Sequence, residues 1–183
     1  MELVWADAGT DLFLLVPLVQ AVAATGGAVG WLHVPPPAEV TAWAAGLLAG
    51  GTHLLLAVVD GDVLGCGAWT RSAGPVLRGM ASVNKVMTHP QARGRGVADA
   101  VVAGLVTSAR DAGVELLTLD ARGNNHGALR LYARHGFVVT GRRPDAVAVG
   151  AERFDSVLMH LDLRTGDEPL ARHGSRHVGP GRT

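Results

Sequence analysis

The chain has 183 residues, 48% of them apolar, with 16 basic and 16 acidic side chains and a formal net charge of zero. That length suits one domain of about 100–200 residues with a sizeable core. The even charge balance excludes a dedicated DNA or RNA binder, which would carry a basic excess, and the one cysteine, Cys66, excludes an internal disulfide and a multi-cysteine zinc site.

The first residues, MELVWADAGTD, carry acids where a secretory leader needs positive charge, and ELVWA reads as a first strand. No charged residue occurs from Leu12 to Leu32. Pro17, Gln20, Thr25 and the following glycines interrupt that run, which leaves less than the roughly 20 residues a membrane span needs. A buried helix is expected instead, capped by Thr10 or Asp11 and stopped at Gly26. A second helix is expected in HVPPPAEVTAWAAGLLAGG, opened by prolines, which lack the N–H that the first turn leaves unpaired, and closed by Gly50 and Gly51. The period then changes. THLLLAVVDGDVLGCGAWT is two apolar runs around Asp60-Gly61-Asp62, a hairpin signal. Cys66, between two glycines, reads as a small buried residue and not as a nucleophile; a single thiol suits a reducing cytoplasm. MASVNKVMTHP is a further strand. GVADAVVAGLVTSARDAG is a helix ended by Gly113, VELLTLDA a strand, and NNHGALRLYARHG a short helix stopped at Gly136. FVVTGR and RFDSVLMHLDL are the last strands.

The order β-α-α-β-β-β-α-β-α-β-β describes an α/β (α+β) chain: a mixed, mostly antiparallel sheet of about seven strands with four helices. Residues 1–163 form one domain in this reading. Residues 164–183 form a polar, Gly- and Arg-rich tail without apolar period, expected to be disordered. His173 and His177 in that tail are four apart, but Gly174 and Ser175 disfavour a helix between them, so no metal site is expected.

The stretch HPQARGRGVADAVVAGLV carries the chemistry. A strand enters a helix through a glycine loop, and the first N–H groups of a helix have no intrahelical partner. Glycines let the backbone approach a ligand, and the helix dipole adds partial positive charge. Together these can hold a phosphate. The dinucleotide fingerprint G-x-G-x-x-G fails at Asp99, and G-x-x-x-x-G-K-[ST] is absent. On its own the loop serves equally well as a simple helix start.

Arg93, Gly96 and Ala98 fit R-x-x-G-x-A, and NNHGALRLYARHGF fits N-x-x-A-x-x-L-Y-x-x-x-G-F at Asn125, Ala128, Leu131, Tyr132, Gly136 and Phe137. KVMTHP is similar to L-x-V-x-P. With these motifs the chain resembles the GNAT family of N-acetyltransferases over roughly residues 50–163, which implies the GNAT fold and acetyl-CoA as co-substrate. By that resemblance Val86, Met87 and Thr88 form the bulged strand that binds the pantetheine arm, with a backbone N–H near Val86 or Met87 on the thioester oxygen. Arg93, Gly94, Arg95, Gly96, Val97, Ala98 and Asp99 cradle the pyrophosphate. Asp99 is a departure, an acid expected to turn to solvent. Asn125 caps a helix and contacts the cofactor arm. Tyr132 is the general acid for the leaving thiolate, although a core aromatic is the plain alternative.

The general base is less defined. Many relatives place a glutamate on the fourth strand, where this chain has Ser82 and Asn84. Asp120 is the nearest carboxylate, and its alternative is a structural acid at a strand end; a mechanism with no dedicated base is a third option. Lys85, placed just before the bulge, is assigned a salt bridge. The loop TGGAVGWLHVPPP and the segment TGRRPDAVAVG resemble those of tabtoxin-resistance-type acetyltransferases, which places Gly30, Trp31, Arg143 and Asp145 at the acceptor pocket, with Asp145 on an ammonium. The expected reaction is acetyl transfer to a primary amine of an amino-acid-like metabolite or antibiotic, in the cytoplasm, without metal, nucleic acid or membrane; a homodimer is left open. A protein N-terminal or lysine acceptor is the alternative, and a non-catalytic acyl-CoA sensor is the alternative of another class.

Overall fold

The computed structural model describes residues 1–26 and 30–164. The elements follow the expected order: β1 (Glu2–Trp5), α1 (Val16–Ala24), α2 (Pro37–Ala49), β2 (His53–Val59), β3 (Asp62–Arg71), β4 (Met80–Thr88), α3 (Val97–Asp111), β5 (Leu116–Arg122), α4 (His126–Arg134), β6 (Val138–Val149) and β7 (Glu152–Asp162). The sheet order is β1-β2-β3-β4-β5-β7-β6. Every neighbouring pair is antiparallel except β4 and β5. The tail expected after Leu163 lies, from residue 165 on, outside the described residues, as do His173 and His177 and residues 27–29 of the first inter-helix loop. No helix among the described residues is long and apolar enough to cross a membrane.

Local chemistry sets the boundaries. Asp11, not Thr10, caps the first helical segment: its carboxylate accepts from the Phe13 N–H at 3.0 Å, and a 3-10 turn over Leu12–Leu15 leads into α1. Thr10 instead accepts from the Asp7 N–H. Asp60 and Gly61 both take positive φ, 53° and 89°, the geometry of the tight hairpin turn that an Asp-Gly pair favours.

The apolar run HLLLAVV does not alternate with polar residues because both faces of β2 are covered. Leu55 and Ala57 belong to the core under α3 and α4, while Leu54 and Leu56 belong to the core under α1 and α2, as a two-residue period requires. Cys66 points into the second of these cores and is fully buried. Burial pushes its thiol up to about 12, which makes it inert.

β3 also sets the depth of α3. Gly65 and Gly67 face this helix. A Cβ at Gly67 would stand 2.7 Å from Val101 Cγ1 and 2.8 Å from Leu105 Cδ1, and one at Gly65 would stand 2.5 Å from Val97 Cγ1. The helix therefore occupies the space that two side chains would fill. Trp69 on the same face donates its indole N–H to Ser108 Oγ at 3.2 Å, pinning the later turns of α3.

β6 is longer than FVVTGR. It continues to Val149, with breaks in register between Val139 and Gly141 and between Arg143 and Val147. Pro144 falls within the second break, where its missing N–H interrupts no ladder, and Asp145 turns through a φ of 53°. The stretch left between the two last expected strands is thus part of a kinked strand.

Gly67→Ala is expected to destabilise the fold by about 1–3 kcal/mol, the usual cost of overpacking. In urea unfolding, Gly67→Ala combined with Val101→Ala should lose less than the sum of the two single changes. A strictly additive pair would show that the two positions do not compete for one space.

Candidate active site

β4 and β5 pair at only three positions, Met80 with Leu116, Ala81 with Leu117 and Ser82 with Thr118. Beyond them the strands part. β4 bulges at this point: its register against β3 shifts between Cys66 and Ala68, and Lys85 takes a φ of 56°. Lys85 is thus inside the bulge and not before it. Its expected salt bridge is replaced by a cation–π contact, Nζ lying 5.8 Å from the Trp43 ring; no ion pair to Lys85 occurs among the described residues.

The direction of the main chain in β4 bears on the choice between Val86 and Met87. His89 donates to Leu64 O at 2.9 Å, and in the same register Met87 lies opposite Cys66. Antiparallel ladders alternate bonded and non-bonded pairs, so Met87 directs its N–H to β3. Its side chain is buried among the α1 and α2 core residues. The main-chain groups that face the gap belong to its neighbours Val86 and Thr88.

After β4 the chain makes a 3-10 turn over Pro90–Ala92 and enters α3 through Gly94 and Gly96. Both glycines take positive φ, 76° and 78°. Among the described residues the backbone N–H groups of Gly94, Gly96, Val97, Ala98 and Asp99 have no protein acceptor. Five donors therefore converge at the positive end of a 15-residue helix. Arg93 borders this cradle and donates to Thr25 Oγ1 at 3.3 Å. Arg95 does not line the cleft.

Asp99 does reach solvent, its side chain being 45% exposed, but it is also held across the helices. Arg134 donates to it at 2.8 and 3.0 Å, and His135 lies at 3.3 Å. The Arg134 hydrogen bonds hold the Asp99 carboxyl below its ordinary value, so this clamp between α3 and α4 persists at neutral pH and is lost only as acid protonates the carboxylate. It also neutralises the one acid in the cradle.

α4 supplies the rest. Asn125 caps it, its side-chain oxygen accepting from the Ala128 N–H at 3.2 Å. Tyr132 packs edge-on against Phe137 at 5.9 Å. Burial first, and then the nearby charge of Asp120, raise the Tyr132 hydroxyl to about 12. The cradle, the parted strands and α4 enclose a cleft of about 840 Å³. It is lined by every residue expected to bind the cofactor except Arg95.

A second cavity of about 280 Å³ opens on the other side of Tyr132, with Asp120, Asn84, Lys85, Gly30 and Val147 in its wall. Val86, Arg122, Asn125, Ala128 and Tyr132 border both spaces. Of the expected acceptor residues only Gly30 lies here. Trp31 donates to Glu39 at 2.8 Å and packs on Trp43. Arg143 and Asp145 line neither cavity; the main-chain N–H of Asp145 donates to Asp155. Arg122 and Val147 were not expected. Arg122 was accessible in principle, because it stands two residues from Asp120 on a strand and so shares its face.

A strand pair that parts beside a glycine-rich helix start, with a buried tyrosine between a donor-sized cleft and a smaller cavity, defines an acyltransferase-like architecture. The model of the Acetyltransferase (GNAT) family matches residues 22–137, and the chain belongs to that family. It is 30% identical over 88 residues to an L-amino acid N-acyltransferase of Escherichia coli (strain K12), an alignment that takes in 48% of this chain and spans only about half, 51%, of that relative. Its fold is that of a Salmonella typhimurium acetyltransferase solved with its cofactor acetyl-CoA, with TM-score 0.76, 22% identity, and coverage of 93% of this chain and 98% of that one. It is also that of a GNAT superfamily phosphinothricin acetyltransferase from Sinorhizobium meliloti in complex with acetyl-CoA, with TM-score 0.74, 18% identity, and coverage of 94% and 95%.

Arg134→Gln leaves the Asp99 charge beside the cradle without its main partner. By calorimetry it should weaken CoA binding by about tenfold, or about 1.4 kcal/mol, and leave pantetheine, which has no pyrophosphate, unaffected. Equal losses for both ligands would place the effect outside the cradle.

Proposed function

We propose that the chain is an acetyl-CoA-dependent N-acetyltransferase whose acceptor is the primary amine of a small molecule. The observation that carries this reading is the place of Tyr132 on the wall shared by the large cleft and the small cavity. The cradle of free N–H groups, flanked by Arg93, fits a pyrophosphate, and the unpaired edge of β4 fits an extended amide-bearing arm. Acetyl-CoA in the Salmonella and Sinorhizobium structures supports the same donor. The name of the E. coli relative supports a small amine, as does the modest volume of the second cavity.

In this reading the acceptor nitrogen, deprotonated by Asp120 directly or through water, attacks the thioester carbonyl carbon. Charge gathers on the carbonyl oxygen, and the N–H of Val86 facing the gap stabilises it. When the carbon–sulfur bond breaks, Tyr132 gives its proton to the departing thiolate. Its raised pKa keeps that proton in place throughout the neutral range, and Asp120 can then reprotonate the phenolate through solvent. Ser156 donates to Asp120 at 2.9 Å and fixes the carboxylate that serves as base.

Tyr132→Phe should lower kcat by about 10²–10⁴-fold and leave the Kd for acetyl-CoA unchanged, measured by thiol release and by calorimetry. Because the Tyr132 hydroxyl titrates at about 12, no alkaline loss of rate between pH 7 and 10 should belong to it. Wild-type turnover in the phenylalanine variant would remove Tyr132 from the mechanism. A wild-type chain that binds acetyl-CoA yet transfers to no amine in a broad panel would point to an acyl-CoA sensor. The inert Cys66 will add no background to a thiol assay in the folded state.

A further inference from the structure

The smaller cavity holds polar groups that acetyl transfer alone does not use. Asp120 and Arg122 stand on one face of β5, with backbones roughly 7 Å apart at about 3.3 Å of rise per residue. Their opposite charges do not pair with each other among the described residues. Asp120 is steadied by Ser156. Arg122 is steadied by the Phe154 ring, 5.1 Å from its guanidinium carbon, and by a long bond of 3.4 Å to Gly26 O. Two side-chain atoms among the described residues are buried with no hydrogen-bond partner, and both belong to residues of this cavity: Asn84 Oδ1, an acceptor without a donor, and Arg122 Nε, a donor without an acceptor. Buried polar atoms ordinarily find partners, and this pair would suit a group with N–H at one end and oxygen at the other.

Resting on the transferase reading above, we propose that Arg122 is the specificity-determining residue of the acceptor site and that it requires a carboxylate next to the amine. The acceptor is then a free α-amino acid. Its ammonium is received at the end of the cavity that holds Asp120 and Asn84, and its carboxylate accepts from the Arg122 guanidinium in a charge-assisted bond of the kind that group favours. Binding as a zwitterion places the nitrogen beside the base that must remove its proton. Gly30 and Val147, both without charge, stand in the same wall and suit an uncharged side chain, while Lys85, also in the wall, carries its ammonium over the Trp43 ring. A peptide N-terminus, whose neighbouring carbonyl is a neutral amide, leaves Arg122 unsatisfied and is rejected.

The experiment compares L-methionine and L-leucine with their carboxamides in the thiol-release assay, using the full chain, acetyl-CoA, wild type, Arg122→Gln and Arg122→Lys. Wild type should favour the free acids in kcat/KM by roughly 10- to 100-fold, the worth of a hydrogen bond to a charged group. Arg122→Gln should bring that ratio near one, mainly through KM for the acids, and Arg122→Lys should restore part of it. A wild type that uses the carboxamides as well as the acids overturns the proposal without any variant. So does an Arg122→Gln protein that loses activity on both equally, which is the mark of a structural role. Thermal shift by L-methionine in the presence of CoA gives a readout apart from turnover. A shift seen in wild type and absent in Arg122→Gln sustains the carboxylate site even if no acetyl transfer occurs, whereas transfer to amines with no preference for acids sinks it and leaves the transferase reading standing.

Discussion

The parallel contact between β4 and β5 lasts three rungs and then ends, and the rest of the site depends on that ending. A sheet normally satisfies the main chain of an inner strand on both sides. Here β4 stays bonded to β3 while its other edge is released beyond Ser82. The bulge at Lys85 turns the strand as it leaves its neighbour. The released edge and the widening gap make room for two cavities, one against α3 and one against β5 and β6, with Tyr132 between them. Had the pairing continued, neither cavity would exist and Tyr132 would be an ordinary core aromatic.

The depth of α3 is matched to this gap. Because Gly65 and Gly67 carry no side chain, the helix rests close to β3 and its first turn reaches the mouth of the cleft. The cradle then needs electrostatic upkeep. An acid in the first turn is favourable for the helix itself but repels a pyrophosphate. The Arg134 contact reconciles the two, keeping Asp99 charged for the helix while cancelling its field toward the cleft. Arg93 meanwhile ties the end of α1 to the edge of the cradle through Thr25.

Most of the framework was legible in the sequence because it depends on local chemistry. Asp11, Asn125, Asp60-Gly61, Gly113 and Gly136 each set a boundary through their own cap or dihedral preference, and the element order followed from them. The phosphate loop and the α4 motif were readable for the same reason: each is one contiguous stretch. What the sequence did not disclose depends on partners far along the chain. Arg134 lies 35 residues from Asp99, and no local pattern joins them. The direction of the Met87 N–H follows from the register against β3, which a bulge resets. Arg143 and Asp145 were placed at a pocket by resemblance alone; in the kinked strand paired to β7 they line neither cavity, and Val147 is the β6 residue that reaches the smaller one.

The two cavities share the wall made by Val86, Arg122, Asn125, Ala128 and Tyr132 and are otherwise lined by different residues, which has a consequence for how such a chain can diversify. The larger cleft depends on the backbone geometry of one contiguous stretch, Arg93 to Asp99, together with residues of α1, β4, β5 and α4. The smaller cavity draws its residues from β4, β5, β6, α4 and the inter-helix loop, and most of those on the strands do not line the larger cleft. Substitutions at residues that line only the smaller cavity can therefore change its shape and charge while the glycine-rich cradle at the start of α3 keeps its geometry.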